Sequence, residues 1–171
     1  MLSVNRVIKF IWIISLILFL AGLLYGYYIL PDAICFKFDP NGFPMDYMPR
    51  KNAFYIFTGI CGSYNILILL IERLILMIPN RLKPVPNKIY WLSTQETQNG
   101  LNFVLSNWFY SFLALLNTCL LVVFYSFAKV NSNFQSNIVQ YFWVFQAITI
   151  ILVLWILYLP VRLFISKIFI K

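Results

Sequence analysis

Four long apolar runs, separated by three polar stretches, set the pattern of the chain. The first, residues 7–30, is broken only by Lys9; the others cover 53–78, 107–128 and 138–159. At about 1.5 Å per helical residue, each run is long enough to cross a hydrocarbon core of about 30 Å. The pattern predicts an all-α integral membrane fold of four transmembrane helices, forming one membrane domain over residues 1–171. A secretory signal peptide is the rival reading of the first run, because Arg6 and Lys9 resemble a charged leader. Its apolar part is too long for that and ends in Tyr25, Tyr27 and Tyr28, not in the small residues of a cleavage site, so a retained helix is expected.

The polar stretches differ in kind. Residues 31–52 hold Asp32, Asp39 and Asp46, three of the five acids, and Pro31, Pro40, Pro44 and Pro49, half of the prolines. Proline removes backbone donors and fixes φ, and Pro40-Asn41-Gly42 is a turn tripeptide, so an ordered loop is expected here and not a helix. Residues 79–106 are basic at Arg81, Lys83 and Lys88, and Pro84 and Pro86 keep their first half extended. Tyr90 and Trp91 are expected to anchor at the membrane interface. Ser93-Thr94-Gln95-Glu96 reads as a capping box with Ser93 as the cap. It would open a helix that runs along the surface, bends at Gly100 and enters the membrane near Asn107. The link 129–137 is too short for a domain and makes the last two spans antiparallel neighbours. Beyond Pro160, the spacing of Arg162, Ser166, Lys167 and Lys171 among apolar residues suits a helix end lying on an anionic leaflet.

Composition sharpens this picture. The chain is 62% hydrophobic and 11% charged, with mean hydropathy +0.83, whereas about a quarter of the residues in a soluble domain are charged. Thirteen Lys and Arg against five acids give a net charge of +8. Four spans put both termini on one side, together with residues 79–106. That side collects Arg6, Lys9, Arg73, Arg81, Lys83, Lys88, Arg162, Lys167 and Lys171, against Lys37, Arg50, Lys51 and Lys129 on the other. The positive-inside rule then places both termini and the 79–106 loop in the cytoplasm and the proline-rich 31–52 loop outside it. The cations sit at helix ends and form no stripe, which argues against nucleic acid as a partner. The lipid bilayer is the primary one.

Little in the chain suits catalysis. Histidine is absent, which removes the commonest general base and zinc ligand. There are no paired carboxylates at helical spacing and no glycine-rich phosphate loop, so no enzyme activity, cofactor or metal is expected. Cys35, Cys61 and Cys119 cannot all pair, and two lie in apolar runs, where cysteine is a small hydrophobe. In the loop, Asp39, Asn41 and Asp46 have the oxygens of a calcium site but lack its bidentate Glu, so a turn held by Asp and Asn side chains is the simpler reading. Asp46 with Arg50 or Lys51 would make an exposed ion pair. Within the spans, Asn65, Asn117 and Gln146 each fall near a midpoint, flanked by Thr118 and Thr149. They form a candidate polar cluster, either interhelical glue or a permeation path. Glu72 is expected to pair at the boundary with a lysine or arginine of the basic loop.

Leu30-Pro31-Asp32, Ile34, Phe38-Asp39, Asn41-Gly42, Pro44, Asp46 and Lys51 resemble the loop of the short domain that opens bacterial membrane proteins of the SdpI type. Pro86-Asn87-Lys88, Tyr90-Trp91-Leu92-Ser93 and Glu96 are similar to the segment that follows the second span in those proteins. Lys37 stands where that family usually has histidine, and one additional residue separates Pro44 from Asp46. The resemblance implies a multi-pass protein of the bacterial plasma (inner) membrane in immunity or signalling. Its outer loop, at Asp32, Lys37, Asp39, Asn41, Gly42, Asp46 and Lys51, would meet an extracellular peptide or envelope component. Its basic face would meet a cytoplasmic regulator or membrane partner. The alternative is a small transporter or an accessory subunit of a transport complex.

Overall fold

The computed structural model of the chain describes residues 2–132 and 137–165. Its elements in order are α1 (Leu2–Ile29), β1 (Ala33–Phe38), β2 (Pro44–Pro49), α2 (Arg50–Met77), the single turn α3 (Lys88–Trp91), α4 (Gln95–Ser132) and α5 (Phe142–Phe164). A 3₁₀ turn, Ile138–Tyr141, leads into α5. Four helical stretches are long and apolar enough to cross a membrane: Val4–Ile29, Arg50–Met77, Gln95–Ser132 and Ile138–Phe164. Their outer surfaces stay apolar and exposed, as at Phe10, Ile17, Leu67, Leu70, Ile150 and Leu154. A helix apolar all round needs an apolar surround.

The bundle is organised around α4, which packs along α1 and against α2 and α5. Close approach to α1 is built from two glycines one turn apart, Gly22 and Gly26. A Cβ on Gly26 would come within 2.4 Å of the Phe124 ring, and one on Gly22 within 2.6 Å of Leu121 Cδ1. Small residues spaced by four are how helices in lipid gain van der Waals contact, because no hydrophobic effect drives them together there. Phe19, Leu23, Leu30, Ile34, Ala53, Cys61, Phe124 and Ala128 form the resulting core. A second core lies at the opposite end: Val85, Trp91, Leu101, Leu105 and Leu163.

Several boundaries depart from the sequence pattern. The 31–52 stretch is an antiparallel β-hairpin, and α2 begins at Arg50 directly from it, three residues ahead of the apolar run. Helix α4 is one continuous 38-residue helix, with no surface segment separated by a bend. Gly100 is buried inside it, where a Cβ would lie 3.8 Å from the Trp91 ring. Its cap lies one residue later than the motif suggested. Thr97 N–H donates to Thr94 Oγ1 at 3.2 Å and Thr94 N–H to Thr97 Oγ1 at 3.1 Å, a reciprocal box, while Ser93 Oγ donates to the Tyr90 carbonyl. Helix α5 continues through Pro160 to Phe164. Trp91 is fully buried and not an interfacial anchor; its Nε1–H donates at 3.0 Å to the Leu163 carbonyl, one of the last-turn carbonyls that a helix leaves without an internal partner. Ser166, Lys167 and Lys171, expected on the leaflet surface, lie outside the described residues.

Candidate functional site

The hairpin forms because its sequence meets two local demands. Gly42 N–H donates to the Asp39 carbonyl at 2.9 Å and Phe43 N–H to Asp39 Oδ1 at 2.7 Å, with Pro40 between them. Asp, Pro and Gly occupy the turn positions that favour them. Gly42 has φ +84°, which glycine adopts without steric cost. The strands pair Ala33 with Pro49, Ile34 with Met48, Cys35 with Tyr47, Lys37 with Asp46 and Phe38 with Pro44. The register breaks on either side of Lys37, leaving Phe36 and Met45 as bulged residues. A bulge is how a strand pair takes in one extra residue.

The hairpin is fastened to the helices at four points. Ile34 is completely buried in the first core. Asn131, near the end of α4, accepts the Cys35 N–H at Oδ1 and donates Nδ2–H to the Cys35 carbonyl at 3.2 Å. Its amide occupies the outer edge of β1 as a neighbouring strand would. Asn137 Nδ2 donates to the Asn41 carbonyl at 2.7 Å. Arg50 donates Nη1–H to the Leu30 carbonyl at 2.9 Å, pairs with Asp32 at 3.1 Å, and lies over the Tyr27 ring at 5.0 Å.

These contacts change what the charged loop residues can do. Asp46 pairs across the strands with Lys37 at 3.4 Å, not with Arg50 or Lys51. Both are more than half exposed, which holds the pair to about 1 kcal/mol or less. Asp32 is engaged by Arg50, Asp39 caps its own turn, and the backbone of Asn41 and Gly42 forms that turn. Lys51 lines a cavity of about 190 Å³ with Leu24, Tyr27, Phe54 and Tyr55. The charged candidates shape the hairpin, and beside them its exposed surface carries apolar side chains: Phe36, Phe43, Met45 and Tyr47 are each between 46% and 61% exposed. Asn131 covers β1, and in an antiparallel pair facing residues either exchange both backbone hydrogen bonds or both turn them away from each other. The backbone of Tyr47, opposite Cys35, therefore points outward along the open edge of β2.

Deeper in the bundle, Asn65 and Asn117 meet. Asn117 has no exposed surface. Its Oδ1 accepts from Tyr64 Oη at 2.7 Å and from Asn65 Nδ2 at 2.9 Å, and its Nδ2 donates to Ser15 Oγ at 3.0 Å. Asn65 Oδ1 in turn accepts from Trp12 Nε1 at 2.9 Å, and Ser15 Oγ donates to the Trp12 carbonyl. The network ties α1, α2 and α4 together. Gln146 is not part of it. It is exposed near the start of α5, because α5 begins at Phe142 and the span's centre lies beyond it. Thr118 and Thr149 each bond the carbonyl four residues back in their own helix. Ser15, Trp12 and Tyr64 were not singled out from sequence; helical spacing from Trp12 to Ser15 and adjacency of Tyr64 to Asn65 were the available signals.

Glu72 is 5% exposed and accepts from Ser106 Oγ at 2.8 Å, so its partner is an α4 hydroxyl and not a cation of the basic loop. The buried member of that loop is Lys83, 1% exposed, which donates to Asn80 Oδ1 at 2.7 Å and to Asn102 Oδ1. Burial beside neutral amides pushes its ammonium below the usual lysine range. Cys35, Cys61 and Cys119 are free and buried. No protein-family model, curated protein or solved structure matches this chain.

Proposed function

We propose that the chain is a non-enzymatic, multi-pass protein of the bacterial plasma membrane. In this reading the hairpin faces outward and binds an extended peptide or an envelope component. The carrying observation is the open edge of β2, with Met45 and Tyr47 exposed along it and Phe43 just before it, on a strand flanked by anchors at Asn41 and Arg50. An extended peptide would add to this edge through main-chain hydrogen bonds and seat alternate side chains against the exposed rings. The likeness of the loop to SdpI-type proteins points the same way, toward immunity or signalling. The excess of cations at the opposite end supports a cytoplasmic location for the termini. The polar cluster around Asn117 is closed and its members satisfy one another, which favours glue over the permeation path a small transporter would need.

The test is to delete the gene and challenge the cells with secreted antimicrobial peptides and wall-active agents. Complementation would use the wild type and a Phe43→Ala/Tyr47→Ala variant that still reaches the membrane. Sensitisation on deletion that the wild type reverses and the variant does not is the expected result. Unchanged sensitivity across the panel, or full rescue by the variant, sinks the reading.

A further inference from the structure

A cleft of about 320 Å³ opens between α4 and α5 at the end of the bundle away from the hairpin, with Ile8 of α1 on its border. Its walls mix two chemistries. Phe103, Val104 and Leu159 are apolar, whereas Asn107, Trp155 and Arg162 bring polar groups to the same space. Two of these groups are buried with no hydrogen-bond partner among the described residues: Asn107 Oδ1 and Trp155 Nε1. A buried polar atom left unmatched costs about 1–3 kcal/mol, so a pair of them lining one cleft points to a ligand that supplies partners. The indole is a donor, and the Asn107 amide can present either end. The guanidinium adds a permanent positive charge suited to bidentate contact with phosphate.

The level of the cleft says which phosphate. Arg162 lies two residues from the end of α5, and Ile8 is six residues from the start of α1. Arg162 therefore sits about 3 Å in from the end of α5, where a bilayer changes from headgroup to acyl chain, and the cleft runs inward from it to Trp155, about 14 Å from the same end. Trp108 and Trp155 line its deeper part, where an indole N–H can donate to a lipid oxygen reaching in from the headgroup level. We propose that this cleft binds one anionic phospholipid, its phosphate held by Arg162 and the Trp155 indole and an acyl chain lying along Phe103, Val104 and Leu159.

The test uses the full chain in phosphatidylcholine vesicles containing, at equal mole fraction, either brominated phosphatidylglycerol or brominated phosphatidylcholine. Quenching of tryptophan emission is the readout. Phosphatidylglycerol is expected to quench several-fold more strongly. Arg162→Gln should abolish that preference, while Arg162→Lys keeps part of it and Arg73→Ala, outside the cleft, keeps all of it. Equal quenching by the two lipids in the wild type overturns the proposal, as does loss of the preference in Arg73→Ala. Relief of quenching by excess inorganic phosphate would also overturn it, by identifying a small-anion site in place of a lipid one.

Discussion

Replacing Asn117 by alanine is the sharpest test of what holds the bundle together. The substitution removes two short acceptor contacts, from Tyr64 Oη and Asn65 Nδ2, one short donor contact, to Ser15 Oγ, and a long acceptor contact of 3.8 Å from Cys61 Sγ that adds little to those three. The partners suffer unequally. Asn65 keeps the Cys61 carbonyl at 2.9 Å, and Ser15 keeps the Trp12 carbonyl at 2.7 Å. Tyr64 keeps only a long contact of 3.7 Å to Cys61 Sγ. Interhelical hydrogen bonds in lipid average about 0.6 kcal/mol, so the three together contribute about 2 kcal/mol. Stranding the Tyr64 hydroxyl adds about 1 kcal/mol or more, the lower end for a buried group left unmatched. The expected loss is therefore about 3 kcal/mol, against about 0.6 kcal/mol for Tyr64→Phe, which leaves Asn117 bonded to Asn65 and Ser15. Reversible unfolding in mixed micelles, followed by tryptophan fluorescence, measures both. Equal losses for the two variants would show that the network does not centre on Asn117.

Three further outcomes follow from the geometry. Gly26→Ala should destabilise the bundle by about 1–3 kcal/mol through overpacking on Phe124. Gly59→Ala, with nothing within 4 Å, should be neutral or stabilising by up to about 1 kcal/mol; the same unfolding assay compares them, and equal effects would refute the close approach. Because burial lowers the Lys83 pKa, the unfolded chain binds more protons between that lowered value and the ordinary 10.5; stability should thus rise with pH across this window and flatten in Lys83→Met, as unfolding measured on the alkaline side would show. Cys35 is buried, so topology is best read from Asn41→Cys and Arg81→Cys, both exposed: in intact cells an impermeant thiol reagent should label the first and not the second, and the reverse pattern would invert the bundle.

The apolar runs made the four helices legible, because length and hydropathy act on whole segments. Their ends were not, since Arg50 and the mostly polar stretch from Gln95 to Asn102 are still helical. The hairpin was half visible. Its turn is written in Asp39-Pro40-Asn41-Gly42, but strands of six residues carrying two bulges break the alternation that would have announced them. Depth along a run brought Asn65 and Asn117 together correctly and misplaced Gln146, because position along one helix does not say which neighbour that helix packs against. The pairing of Lys37 with Asp46 and of Arg50 with Asp32 depends on strand register, which local charge spacing does not contain. The Gly22 and Gly26 spacing was present in the sequence and was the missed signal for the α1–α4 contact.

Helix α4 reaches both ends of the molecule. Asn131 grips the hairpin at one extreme, and Asn102, five residues below Asn107, holds Lys83 at the other. A 38-residue helix is about 57 Å long, and its uninterrupted backbone makes it a stiff beam. Tilting such a beam by about 5° swings its far tip by about 5 Å. A shift at Asn131 would by that lever arm reach the Lys83 cradle at the opposite end of the bundle, with no helix having to melt or slide.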